Sequence, residues 1–182
     1  MKKFLKWSGI VLVSLAILLF AGFQVMKYQT KKASPEIEAQ YKSNGKDIEV
    51  EYSSPSKRNR EIFGALVPYG EVWRTGANEA TTFETKTDLT ISGRKLPAGK
   101  YTLWTIPNQT EWTIIFNSKQ YGWGMGWDGK IPREPEADAL QLTVPVQNTE
   151  TVIEQFTINF AESPGVTMNL MWDNVKVSVP IE

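Results

Sequence analysis

The chain has 182 residues, enough for one ordinary domain and an extension, and its 20 Lys and Arg balance 20 Asp and Glu. It contains no histidine and no cysteine, which excludes disulfides, Ser-His-Asp and Cys-His nucleophiles, and every zinc site except an all-carboxylate one. Zero net charge calls for no nucleic-acid partner, and no cofactor or metal is expected.

The first 32 residues read as a separate object. Lys2, Lys3 and Lys6 precede a charge-free apolar run, residues 7–26, about the 20 residues a helix needs to cross a bilayer. Trp7 and Tyr28 flank it where aromatic belts lie, and Lys27, Lys31 and Lys32 close it. The reading is a single-pass membrane anchor, with its short basic tail in the cytoplasm and the domain outside. The rival is export after signal-peptide cleavage near Ala21-Gly22. Residues 33–46 are polar and read as a tether.

Residues 47–182 read as an all-β domain, an antiparallel two-sheet β-sandwich of jelly-roll or immunoglobulin-like type. Apolar and polar residues alternate in stripe after stripe. Ile48, Val50 and Tyr52 come first, and strands are expected at Thr82–Thr87 and Leu89–Ile91. Lys100–Ile106 is apolar on both faces, as a central strand is. Then follow Trp112/Ile114/Phe116, Leu140/Leu142/Val144/Val146 and Phe156/Ile158/Phe160. The last two stripes are Met168/Leu170/Trp172 and Val175/Val177/Val179/Ile181. Turns are expected at Ser92-Gly93, Pro97-Ala98-Gly99, Pro107-Asn108, Ser163-Pro164-Gly165 and Asp173-Asn174.

Two segments break this pattern, from Ser53 to Ala80 and from Asn117 to Asp138. The first contains "LVPYGEVWRTGANEA", which continues into "TTF", and the second "YGWGMGWDGKIPREPEAD". Both are long, aromatic and glycine-bearing, and loops of that kind often carry function. Loops on a sandwich cluster at its ends or fold across a face, which allows these two to meet.

"RNREIFGALVPYGEVWRTGANEATTF", "GRKLPAGKYTLWTIP", "EWTIIFN" and "MWDNVKVSVPI" resemble an uncharacterised bacterial family, domain of unknown function 2911. The resemblance runs from Ile48 to Ile181, and the block from Val67 to Thr81 is its most specific part. At Asn59 the family pattern carries glycine, which implies a positive φ there; at Ser54 it carries arginine. The resemblance implies an exported or envelope-associated β-rich domain and no particular activity.

The candidate ligand-binding residues are Arg60, Tyr69, Trp73, Arg74, Asn78, Glu79, Trp123 and Trp127. Flat aromatic faces beside convergent donors and acceptors suit a glycan, and Arg74 suits a carboxylate-bearing ligand. The bland reading makes Trp73 a plug for the core, Arg74 a strut paired with Glu79, and Asn78 a turn residue. An envelope protein-protein contact through exposed tryptophans is the first alternative. The second is a carboxylate hydrolase pairing Glu79 with Asp128 or Glu134. Binding is expected ahead of catalysis. Arg74 is expected to matter for stability and Asn78 to project from its turn at little cost.

Overall fold

The computed structural model describes residues 2–126, 128–162 and 165–182. The chain divides into two compact units, Met1–Ala33 and Ser34–Glu182. The first holds helix α1, Lys2–Ala33, which ends in Lys31 and Lys32, where cations complement the helix dipole. Its stretch Trp7–Ala33 is long and apolar enough to cross a membrane. At 1.5 Å per residue it spans about 40 Å, more than the ~30 Å hydrocarbon core.

The second unit begins where a tether was expected, and the difference has a physical cause. Residues 36–43 form strand β1 (Glu36–Ser43), paired along its whole length with β2 (Lys46–Ser53). Asn44 and Gly45 make the two-residue turn between them, both at positive φ, as that turn type requires. Only Tyr41 of β1 is buried, so its polar residues disguise an edge strand.

The remaining strands are β3 (Thr82–Thr85), β4 (Leu89–Ile91), β5 (Arg94–Leu96), β6 (Gly99–Pro107) and β7 (Glu111–Asn117). After a 3-10 turn at Pro135–Ala137 come β8 (Asp138–Ala161) and β9 (Val166–Ile181). The nine form one antiparallel ladder, in the order β1-β2-β3-β6-β7-β8-β9-β4-β5. The expected pair of separately bonded sheets is thus one sheet that turns over along β8. Residues 138–145 of β8 pair with β7, and residues 146–148, 153 and 157–161 pair with β9. The two halves face each other across one core. Tyr52 on β2 meets Phe156 on β8 edge-on at 5.6 Å, and the Tyr52 hydroxyl accepts from Ile158 N at 3.0 Å. The inward stripes behave as expected: Phe116, Phe156 and Trp172 are all buried.

Two pairs of stripes fuse into single long strands. In β9 the buried apolar positions are even up to Trp172 and odd from Val177 onward. Asp173, at φ 55°, absorbs the change of parity as a kink, where a reversing turn was expected. In β8 the ladder shifts register around Ile153. The turn at Ser92-Gly93 is present, with both residues at positive φ. Ser163 and Pro164 lie outside the described residues.

Candidate functional site

Central strand β6 positions everything that follows. Strand β3 pairs with its first half, as far as Thr102. Trp73 then takes the place β3 vacates, bridging Thr105 with two backbone bonds of 2.7 and 3.0 Å. The first irregular segment is therefore stitched into the sheet rather than draped over it.

Alternation across that bridge sends Trp73 to the inner face. Its ring stacks on Trp172 at 6.0 Å and 14°, and it meets Phe156 at 5.0 Å and Trp112 at 6.0 Å. Phe63, from the same segment, joins the cluster against Trp112 at 5.0 Å. Trp73 is a core residue, as the bland reading had it.

The hinge behind Trp73 is tightly bound. Its indole N–H donates to Gly76 O at 3.1 Å. Thr75, wholly buried, has φ 56°, an unusual conformation for a β-branched residue. It is held by Thr81 Oγ1, which donates to Thr75 O at 2.8 Å, and by a 3.2 Å contact between its hydroxyl and that of Thr105. Gly76 has φ 152°, and a Cβ there would stand 2.7 Å from Ser53 O.

Arg74 falls on the outer face, directly opposite Trp104 in the bridge register. The two irregular segments do meet here. Gly124 N donates to Asn78 O at 3.0 Å, and a Cβ on Gly124 would lie 2.3 Å from Arg74 Cδ. Tyr121 covers the neighbouring patch, its ring edge-on to Trp104 at 5.4 Å. Ala80, Trp104 and Ile115 form a small outer core under these loops, with Tyr121 and Ile131 packed on it.

Asn78, expected to project from its turn, is instead tucked in. Asn78 is buried, has φ 57°, and its Nδ2 donates to Ser34 O at 3.4 Å. Arg74 is half-buried, and its Nε is buried without an acceptor among the described residues. Burial pushes its guanidinium below the ordinary arginine value. Accordingly, Asn78→Ala should cost about 1–2 kcal/mol, because alanine resists positive φ. Asn78→Gly should cost clearly less in the same denaturant series. Equal losses would show that the backbone conformation is not what asparagine supplies.

Beside this junction is a cleft of about 210 Å³. Glu36, Glu51 and Thr82 come to it from β1, β2 and β3, and Glu79, Tyr121 and Gly122 from the two loops. Glu51 accepts from Lys100 Nζ and Thr82 Oγ1, both at 3.1 Å, and the lysine holds its carboxyl below the usual range. Glu36 and Glu51 escaped the sequence reading because they sit among the outward-facing acids of ordinary strands. Their only signal was a β1–β2 hairpin that could be placed under Glu79.

The other candidates lie elsewhere. Arg60 closes its own turn, donating from Nε to Lys57 O at 3.0 Å and from Nη2 to Ser56 O at 2.6 Å. Asn59 in that turn has φ 58°, as the glycine in the family pattern implies. Tyr69 is exposed and covers Gly64, whose added Cβ would stand 2.7 Å from the ring. Trp123 is 42% exposed, one residue beyond the cleft wall at Gly122. Trp127 lies outside the described residues. Neither supposed partner of Glu79 lines the cleft: Glu134 pairs with Lys119, and Asp128 accepts from Lys130 N at 3.1 Å in its own turn.

No curated protein and no solved structure matches the chain. A family model does match, over residues 34–181, and its first residue is the first of the β-rich unit. That span holds the stitched Trp73 hinge, the loop junction and the cleft together, so the chain belongs to the family described as protein of unknown function DUF2911.

Proposed function

We propose that this domain binds a small hydroxyl-rich ligand of glycan type, held at a membrane by α1. The observation that carries the reading is the cleft, where two sequence-distant loops close over strand-borne carboxylates. Carboxylates accept hydrogen bonds from sugar hydroxyls, and Tyr121 beside them offers an aromatic ring. The volume is on the scale of one sugar ring rather than a long chain.

The test is calorimetric titration of the full chain in detergent micelles with a panel of neutral mono- and disaccharides. At least one should bind saturably, and Glu79→Gln should weaken it about tenfold or more. Glu84→Gln, on β3 but outside the cleft lining, should leave it unchanged. Absence of saturable binding across the panel would end the glycan reading.

Anchoring rests on the apolar length of Trp7–Ala33. The full chain should stay with membranes through alkaline carbonate extraction, with residues 34–182 open to protease from outside intact cells. A mature N-terminus just after Gly22, read by mass spectrometry, would instead establish a cleaved signal peptide.

A further inference from the structure

Strand β1 is one outer edge of the ladder, and among the described residues no strand pairs with its free side. The hairpin register says what that side offers. Ser43 and Lys46 close the two-residue turn, and Pro35 O accepts from Ser54 N at 2.8 Å, so the odd-numbered residues hydrogen-bond to β2. The backbone N–H and C=O groups of Glu38, Gln40 and Lys42 therefore point outward. Native edges are usually blunted by a bulge, a proline or an inward-pointing charge. The pairing of Glu36–Ser43 with β2 is unbroken, and its residues on the core side, opposite buried Tyr52, Val50 and Ile48, are Ile37, Ala39 and Tyr41.

A groove of about 560 Å³ runs along that edge. Consecutive residues line it, 37–41 of β1 and 157–160 of β8, so it meets both strands edge-on rather than over one face. The Tyr41 and Phe160 rings meet there at 5.7 Å, and Ile37, on the core side of its strand, is 39% exposed. An occupant must bring backbone donors and acceptors in extended form, with apolar side chains at alternate positions. Strand β1 of a second copy brings both, with complementary charge. Run antiparallel with Ala39 opposite Ala39, it sets Glu36 opposite the second copy's Lys42, and Glu38 opposite Gln40, on the outer face. On the core side Ile37 lies opposite Tyr41. The outward-bonding residues meet in phase, as an antiparallel pair requires. A two-fold at Glu38 would oppose like charges, and one at Gln40 would set Ile37 against Ser43.

We infer that the domain forms a two-fold dimer through β1, each copy's edge strand occupying the groove beside the other's. The pairing answers the outward backbone groups and covers both Ile37 side chains. The two Glu36–Lys42 contacts lie at the rim, so they fix the register more than they supply affinity. What favours a second copy over another extended segment is that one register matches backbone phase, charge and apolar contact together. The inference does not rest on the glycan reading.

The experiment is disulfide crosslinking of the full chain in micelles, which the absence of any native cysteine makes clean. Ala39→Cys stands on the two-fold in a non-hydrogen-bonded pair, where Cα atoms lie ~4.5 Å apart, within reach of a disulfide. Under mild oxidation it should give covalent dimer about tenfold or more faster than Gln40→Cys, or than Val152→Cys at an exposed position of β8. Adding Lys42→Glu should slow the Ala39→Cys reaction about fivefold by opposing Glu36, and adding Glu36→Lys as well should restore it. A synthetic peptide of residues 36–43 should compete with the crosslink. Association through α1 alone favours none of the three positions, so equal rates would overturn the β1 interface. Fastest reaction at Gln40 would overturn this register. A chain that binds the peptide but does not crosslink at Ala39→Cys would overturn the dimer and give the groove to an extended segment of another protein.

Discussion

Trp73→Ala should destabilise the domain by about 2–4 kcal/mol, toward the lower end of the range for large aromatics, because the ring is partly buried where it packs against the core. The ring touches Phe63, Trp112, Phe156 and Trp172, which come from one loop and three different strands. Its removal opens a cavity at the point where both halves of the sheet meet, and these neighbours cannot all collapse into it. The indole also ties Gly76 O, so the hinge loses a bond as well. The measurement is denaturant unfolding of the full chain in micelles, read by far-UV circular dichroism. Trp123→Ala, at an exposed loop position, should fall within about 0.5 kcal/mol in the same assay. Similar losses at the two positions would mean that Trp73 does not bear on the core as its geometry indicates.

Gly76→Ala is the second large effect, about 2–4 kcal/mol, from backbone strain and a steric shift together. Its φ of 152° is one that side-chain-bearing residues rarely adopt, and the new Cβ would press on a backbone oxygen, Ser53 O, at 2.7 Å. Backbone cannot swing aside as a flexible side chain can. Gly93→Ala separates the two causes. It too has positive φ, 75°, but nothing lies within 4 Å of its added Cβ. Strain alone should cost about 1 kcal/mol there. If Gly76→Ala costs no more than Gly93→Ala, the close approach to Ser53 is not a constraint on the fold.

Much of the sandwich was legible because burial on one face imposes a period of two. Ile48, Trp112, Phe116, Phe156 and Trp172 all face inward as their stripes predict. Where burial is weak, the signal fails: β1 shows eight residues with a single buried side chain, and it passed for a tether. Where two faces are buried in turn, alternation does not tell a kink from a hairpin, which is why Asp173 looked like a reversing turn. Trp73 was ambiguous for another reason. Its strand partner, Thr105, stands 32 positions away, and a one-residue bridge leaves no period to read. The loops' meeting was foreseen as a geometric option, but its chemistry was not. That Arg74 Nε finds no acceptor among the described residues depends on its spatial neighbours, and no local pattern records those.

Strand β8 carries one further consequence. Because its 24 residues hydrogen-bond to β7 at one end and to β9 at the other, neither half of the sheet owns it. Neither half can then persist as a partly folded module, since loosening either one withdraws a neighbour from the other. Amide protons of β6 in one half and β9 in the other should therefore exchange through the same global opening, with matching protection at their most buried positions. The long pairings also close late, so the domain should fold slowly for its size. A single backbone cut in the middle of β8, between Asn148 and Ile153, should therefore lower the stability of both halves together rather than of one alone.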